Sequence, residues 1–128
     1  MKVPSTDHPI TIEPNPKRVV VRFNGRIIAD TTRALTMREA NLPVVQYVPR
    51  GDVDMNALER TTHASHCPYK GDAAYYSIRV GEREATNAVW TYEEPYAAVA
   101  AIKEHVAFYP NRVDGIEESP ADAVHAGR

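Results

Sequence analysis

The stretch from Arg18 to Thr31 constrains the fold more than any other. Two β-rich runs, Val19-Val20-Val21-Arg22-Phe23 and Arg26-Ile27-Ile28-Ala29, flank Asn24-Gly25. Asparagine and glycine tolerate the positive φ angles of a type I′ turn, so this dipeptide between β-formers predicts a two-residue hairpin. A two-residue loop pairs Phe23 with Arg26 and Val21 with Ile28. Val19, Val21, Phe23 and Ile28 then share one face.

The rest of the chain continues this pattern. Leu35 and Met37 alternate toward a short strand ending near Glu39, and Val44 to Val48 form a strand stopped by Pro49 and Gly51. Ala73 to Val80 places Tyr76, Ile78 and Val80 on one face and Tyr75, Ser77 and Arg79 on the other. Thr86 to Tyr92 returns as its partner, with Ala88, Trp90 and Tyr92 on a shared face. One helix is expected after Glu93-Glu94-Pro95, because acids and proline suit a helix N-terminus; Val99 and Ile102 are its apolar stripe. His105 to Tyr109 reads as a strand, and Arg112 to Ile116 as a last edge strand. The expectation is a mainly β protein, a compact antiparallel two-sheet domain with one short helix.

The domain spans 18–116 in this reading. Residues 1–17 contain Pro4, Pro9, Pro14 and Pro16 and read as an arm, and 117–128 read as a flexible tail. A chain of 128 residues fits one domain, large enough to form a core without disulfides. The net charge of -2 and the lack of a basic run argue against a nucleic-acid or membrane footprint. Cys67 is the only cysteine, so neither an internal disulfide nor a multi-thiolate zinc site is expected. No secretory signal and no bilayer-length apolar run is evident, which leads to the expectation of a cytoplasmic protein.

Reactive residues concentrate between Thr61 and Tyr76, read as a loop that runs into the Ala73 strand. Lys70-Gly71 joins a point charge to a residue whose backbone can approach a ligand closely. The alternative is a solvated loop lysine. Glu39, opposite Lys70, is a general acid or base, or the partner that keeps the lysine charged, or a plain surface glutamate. Cys67 is a nucleophile with His63 or His66 as base, or a small buried group before a turn proline. His66 is poorly placed as that base, since adjacent side chains of an extended chain diverge. His63, His66, Cys67 and His105 lack complete metal-ligand spacing, so no metal is expected. The catalytic candidates are therefore Lys70, Glu39, His66 and Cys67.

Arg38-Glu39, Val45-Gln46-Tyr47-Val48-Pro49-Arg50, Leu58-Glu59-Arg60, His66-Cys67-Pro68-Tyr69-Lys70-Gly71, Tyr75-Tyr76, Asn87-Ala88-Val89-Trp90-Thr91-Tyr92 and His105-Val106-Ala107-Phe108-Tyr109 follow in an order and spacing that resemble a bacterial domain-of-unknown-function family, DUF427. That family also carries a nucleotidyltransferase label. The resemblance implies a small β-rich fold, similar to two-sheet tent-like folds that bind small ligands between their sheets. Such relatives often have a cysteine zinc site, for which this chain lacks the cysteines. Neither a phosphate loop nor the glycine-serine and spaced-aspartate pattern of nucleotidyl transfer is present.

These residues together lead to one expectation. A pocket with ligand-binding residues Tyr47, Lys70, Gly71, Tyr75, Trp90 and Tyr92, and with Glu39 and His66 as further polar groups, accepts a small, flat, anionic or carbonyl-bearing molecule. A module that offers an aromatic face to a protein partner, and a thiol or metal enzyme centred on Cys67, are the other two readings. The sequence specifies no cofactor and no oligomeric state.

Overall fold

Asn24 and Gly25 both adopt positive φ, 50° and 78°, as the type I′ turn requires. In the computed structural model, which describes residues 1–121, this turn joins β2 (Arg18–Phe23) to β3 (Arg26–Thr31). Phe23 faces Arg26, but a bulge shifts the register so that Val21 lies opposite Ala29 rather than Ile28. The extra residue turns both Ile28 and Ala29 inward, each 1% exposed.

The other strands are β1 (Ile10–Asn15), β4 (Ala34–Glu39), β5 (Val45–Pro49), β6 (Leu58–Cys67), β7 (Gly71–Val80), β8 (Arg83–Tyr92), β9 (His105–Phe108) and β10 (Gly115–Ser119). They form a seven-stranded sheet, ordered β1-β4-β5-β9-β8-β7-β6, and a three-stranded sheet, ordered β10-β2-β3. Every named pairing is antiparallel. The protein is therefore a mainly β, two-sheet domain.

Strand alternation gives the large sheet two apolar faces. On one, Tyr76, Ile78, Val89, Val106 and Phe108 pack against Val21, Phe23 and Ile28 of the small sheet. On the other, Met37, Tyr47, Tyr75, Tyr92 and Ala107 pack with Val99 and Ile102. Trp90 and Tyr92 share this second face, whereas Ala88 turns to the first. Asn87 in the left-handed region, φ 52°, and a register shift in the β7–β8 ladder account for the change of face.

Four further expectations are corrected. The arm contains a true strand: β1 pairs with β4 from Ile10↔Glu39 to Asn15↔Ala34. Pro14 is tolerated because β1 is an edge strand. Thr61–Cys67 is not a loop but part of β6, paired with β7. Nearly all of it is exposed, so no alternation of apolar residues marked it. Glu117–Ser119 belongs to β10 rather than to a tail; of the expected tail 117–128, residues 122–128 lie outside the described residues.

The fourth correction is the helix. Ala97–Ile102 forms 3-10 turns with a non-helical Val99, φ -125°, instead of an α-helix opening at Glu93. Its start is held back by the backbone at Tyr96, whose N–H donates to the Lys70 carbonyl at 3.1 Å. Too few residues then remain before β9 to repay helix nucleation. Val99 and Ile102 are still fully buried, so the apolar stripe survives the change of helix type.

Replacing Gly25 by Val should lower stability by about 1–3 kcal/mol, the usual cost of forcing a side chain into the left-handed region. A Cβ there meets nothing within 4 Å, so the penalty is purely one of backbone conformation. Gly25→Asn should cost far less, because asparagine visits this region readily. Equal thermal melting of wild type and Gly25→Val would contradict the turn assignment.

Candidate functional site

Glu39 ends β4, and Lys70 closes the tight turn between β6 and β7, where its N–H reaches the Cys67 carbonyl at 3.3 Å. The Lys70 ammonium donates to Glu39 Oε1. Both side chains are buried, 11% and 9% exposed. The second carboxylate oxygen, Oε2, lies 2.8 Å from His8 Nε2. Burial pushes the Glu39 pKa up, but the hydrogen bonds from Lys70 and His8 outweigh it and hold the carboxyl below its ordinary value of 4.5.

His8 is one residue that sequence reasoning missed, because the segment before β1 reads as a free arm. It is fastened instead. Lys2 N–H donates to the Pro68 carbonyl at 2.7 Å, Ala40 N–H to the Pro9 carbonyl at 2.8 Å, and the His8 ring stacks on Tyr69 at 3.9 Å. No local signal in a proline-rich polar stretch marks such docking.

Beside the ion pair is a cavity of about 640 Å³. Its lining includes Glu39, Tyr47, Lys70, Tyr75, Trp90 and Tyr92, so these six candidates are brought together. Tyr75 pairs directly with Trp90 across β7 and β8, and Ala73 with Tyr92. Trp90 Nε1 donates to the Tyr47 hydroxyl at 3.2 Å, and the indole lies 4.4 Å from the Tyr109 ring. The Lys70 ammonium sits 5.9 Å from the centre of the Tyr92 ring. Burial raises the pKa of Tyr47 and of Tyr92 well above the ordinary phenol value. Burial and the neighbouring Tyr75 hydroxyl push Tyr109 up to about 12. These phenols are therefore neutral hydrogen-bonding groups at physiological pH.

The remaining candidates sit elsewhere. His66 is exposed and bonds Asp72 through Nδ1 at 2.7 Å, because the β6–β7 register sets the two opposite one another on the outer surface. Cys67 is half-buried and packs against the second core face; it does not line the cavity. Gly71 is needed for a close approach, but to another stretch of chain: its φ is 109°, and a Cβ would lie 3.3 Å from the Glu94 carbonyl oxygen. His63 packs on Tyr75, and His105 bonds the Lys103 carbonyl. Among the described residues, no three His, Cys, Asp or Glu side chains converge as a metal site requires. Tyr109 and the Leu42-Pro43-Val44 loop are cavity residues that the sequence reading left out. The sequence places Tyr109 at a strand end and Val44 at the start of a strand, which begins at Val45 instead.

Fold and site together define a small two-sheet β domain whose aromatic cavity is anchored by a buried lysine–glutamate pair. The chain matches the family described as domain of unknown function (DUF427) over residues 11–119, and it belongs to that family. No curated protein matches the chain.

Lys70→Ala should destabilise the fold by about 3–5 kcal/mol, because it leaves a buried carboxylate without its cation. Lys70→Met combined with Glu39→Gln removes both charges at similar volume and should cost much less. The Glu39 contribution follows from the sign of its shift: a depressed folded pKa stabilises above the ordinary glutamate value, and that stability is lost as pH falls through the folded pKa. Denaturant titrations between neutral and acidic pH should therefore show a steeper acid loss in wild type than in the double variant.

Proposed function

We propose that this protein binds a small, flat molecule carrying a hydrogen-bond acceptor, held in the aromatic cavity with Lys70 as polar anchor and Glu39 as the group that fixes the lysine. The observation that carries this reading is the buried pair itself, at the wall of a cavity rather than inside a sealed core. Burying two charges costs several kcal/mol each, and a core built only for stability is served as well by apolar residues. The cavity volume falls in the range of small-molecule sites, and its walls are aromatic with few polar groups. Tyrosine and tryptophan supply area for stacking, and their polar tips fix orientation.

The other two readings have less support. An interaction module would present its aromatic residues outward, whereas Tyr47, Tyr75 and Tyr92 are buried. A thiol enzyme would bring a base to Cys67, whereas His66 is engaged with Asp72. The proposed setting is the cytoplasm, where the lone Cys67 stays reduced; no helix among the described residues is long and apolar enough to cross a membrane.

A thermal-shift screen of cellular metabolites should yield stabilising hits, to be titrated by calorimetry. Lys70→Met/Glu39→Gln should weaken their binding by roughly ten- to a hundredfold, the value of one charged hydrogen bond. Trp90→Ala should weaken it further by removing one wall. Undiminished binding to the double variant would show that the cavity has no polar anchor.

A further inference from the structure

We infer that the ligand of this cavity is elongated, with an uncharged carbonyl head at Lys70 and an apolar tail that leaves over the Leu42-Pro43-Val44 loop. This rests on the reading that the cavity binds a small molecule, and it adds the charge and shape of that molecule.

The head follows from the charge balance of the anchor. Lys70 is already neutralised by Glu39, and both oxygens of Glu39 are engaged, one by Lys70 and one by His8. A ligand carboxylate here would put two carboxylates around one ammonium in a poorly hydrated site, where like charges repel strongly. Glu118 also lines the cavity and adds negative charge at its exposed side. A lysine ammonium has three N–H donors, so one bond to Glu39 leaves donors for a neutral acceptor. A carbonyl oxygen uses such a donor without adding charge.

The tail follows from the rim. Leu42 and Val44 are 52% and 48% exposed, among the few large apolar side chains that face solvent. Both line the same cavity as the buried ion pair. Single exposed apolar residues are ordinary, but two on one short loop at the mouth of a cavity form an apolar exit. The loop is also tied to the anchor. Leu42 N–H donates to the Glu39 carbonyl at 2.9 Å, and Ala40 takes a positive φ of 47° to make the turn. Glu39 therefore fixes the polar end with its side chain and the apolar rim with its backbone.

The test uses two matched series, 4-alkylbenzamides and 4-alkylbenzoates of increasing chain length, titrated by calorimetry at one fixed, mildly alkaline pH. The benzamides should bind at least tenfold tighter than the benzoates. Each added methylene should tighten binding by about two- to fourfold until the tail clears the rim. Leu42→Ser/Val44→Ser should remove this chain-length gain, and Lys70→Met/Glu39→Gln should weaken benzamide binding by roughly ten- to a hundredfold through loss of the lysine donor. Benzoates binding as tightly as benzamides, or affinity independent of chain length, would overturn the inference. If short amides still bind in a Lys70-dependent way while chain length has no effect, only this inference falls and the cavity reading stands. If neither series binds, the inference also falls, and the metabolite screen judges the cavity reading separately.

Discussion

The hydrogen-bonded ion pair between Glu39 and Lys70 sets a condition on the whole large sheet. β4 and β7 are separated by β5, β9 and β8 in the strand order. Four spacings of about 4.8 Å would put them roughly 19 Å apart in a flat sheet, farther than two extended side chains reach. The pair can form only if the sheet curls its aromatic face inward. Twist favours such coiling in any large sheet, and bulges in the β6–β7 and β7–β8 ladders increase it locally. The ion pair is no strong source of net stability, since desolvation consumes most of its Coulomb energy. It acts as a geometric tie, because a curl that is too shallow leaves two buried charges unpaired.

The large sheet is narrowest at its middle. β5 and β9 share only the pairs Val48↔Val106 and Pro49↔His105, and β9 meets β8 only at Val89↔Phe108 and Trp90↔Ala107. A short ladder resists bending less than the long β6–β7–β8 hairpins on its flank. Tyr47, Trp90 and Tyr109 sit at this narrow joint and line the cavity. Their rings fill part of the opening left by the curl, and the Trp90 to Tyr47 hydrogen bond spans the joint from β8 to β5. The cavity is thus walled by the large sheet at this joint and by Val19, Val21 and Ile116 of the small sheet, with the ion pair at its polar end.

What was legible in the sequence depended on how local the controlling physics is. Asn24-Gly25 fixed its own turn, because the positive φ values are a property of two residues. Even there the bulge at Ile28 was invisible, since it is set by packing against the large sheet. Tyr75, Trp90 and Tyr92 were legible as wall residues because strand alternation places them on one face. Lys70 and Glu39 stood out as charges beside turn residues, yet nothing local showed that they are buried together. β6 was hidden by its exposure: a strand that buries almost nothing carries no period-two signal. The helix misreading has the same origin in reverse. Composition after Glu94 favours helix, but the hydrogen bond from Tyr96 to Lys70 comes from the tertiary fold and overrides it.

The site is non-local throughout. His8 and Lys70 each lie 31 residues from Glu39 along the chain, on opposite sides of it. The turn carrying Lys70 is held by Tyr96 on one side and by Lys2 through Pro68 on the other. No contiguous motif encodes this arrangement, so no partly folded segment can present it. Formation of the site and formation of the fold are the same event, in a topology whose long-range pairings must all close first. A molecule that fits the cavity therefore binds only the native state, and its binding free energy adds directly to the stability of the sheet that creates the cavity.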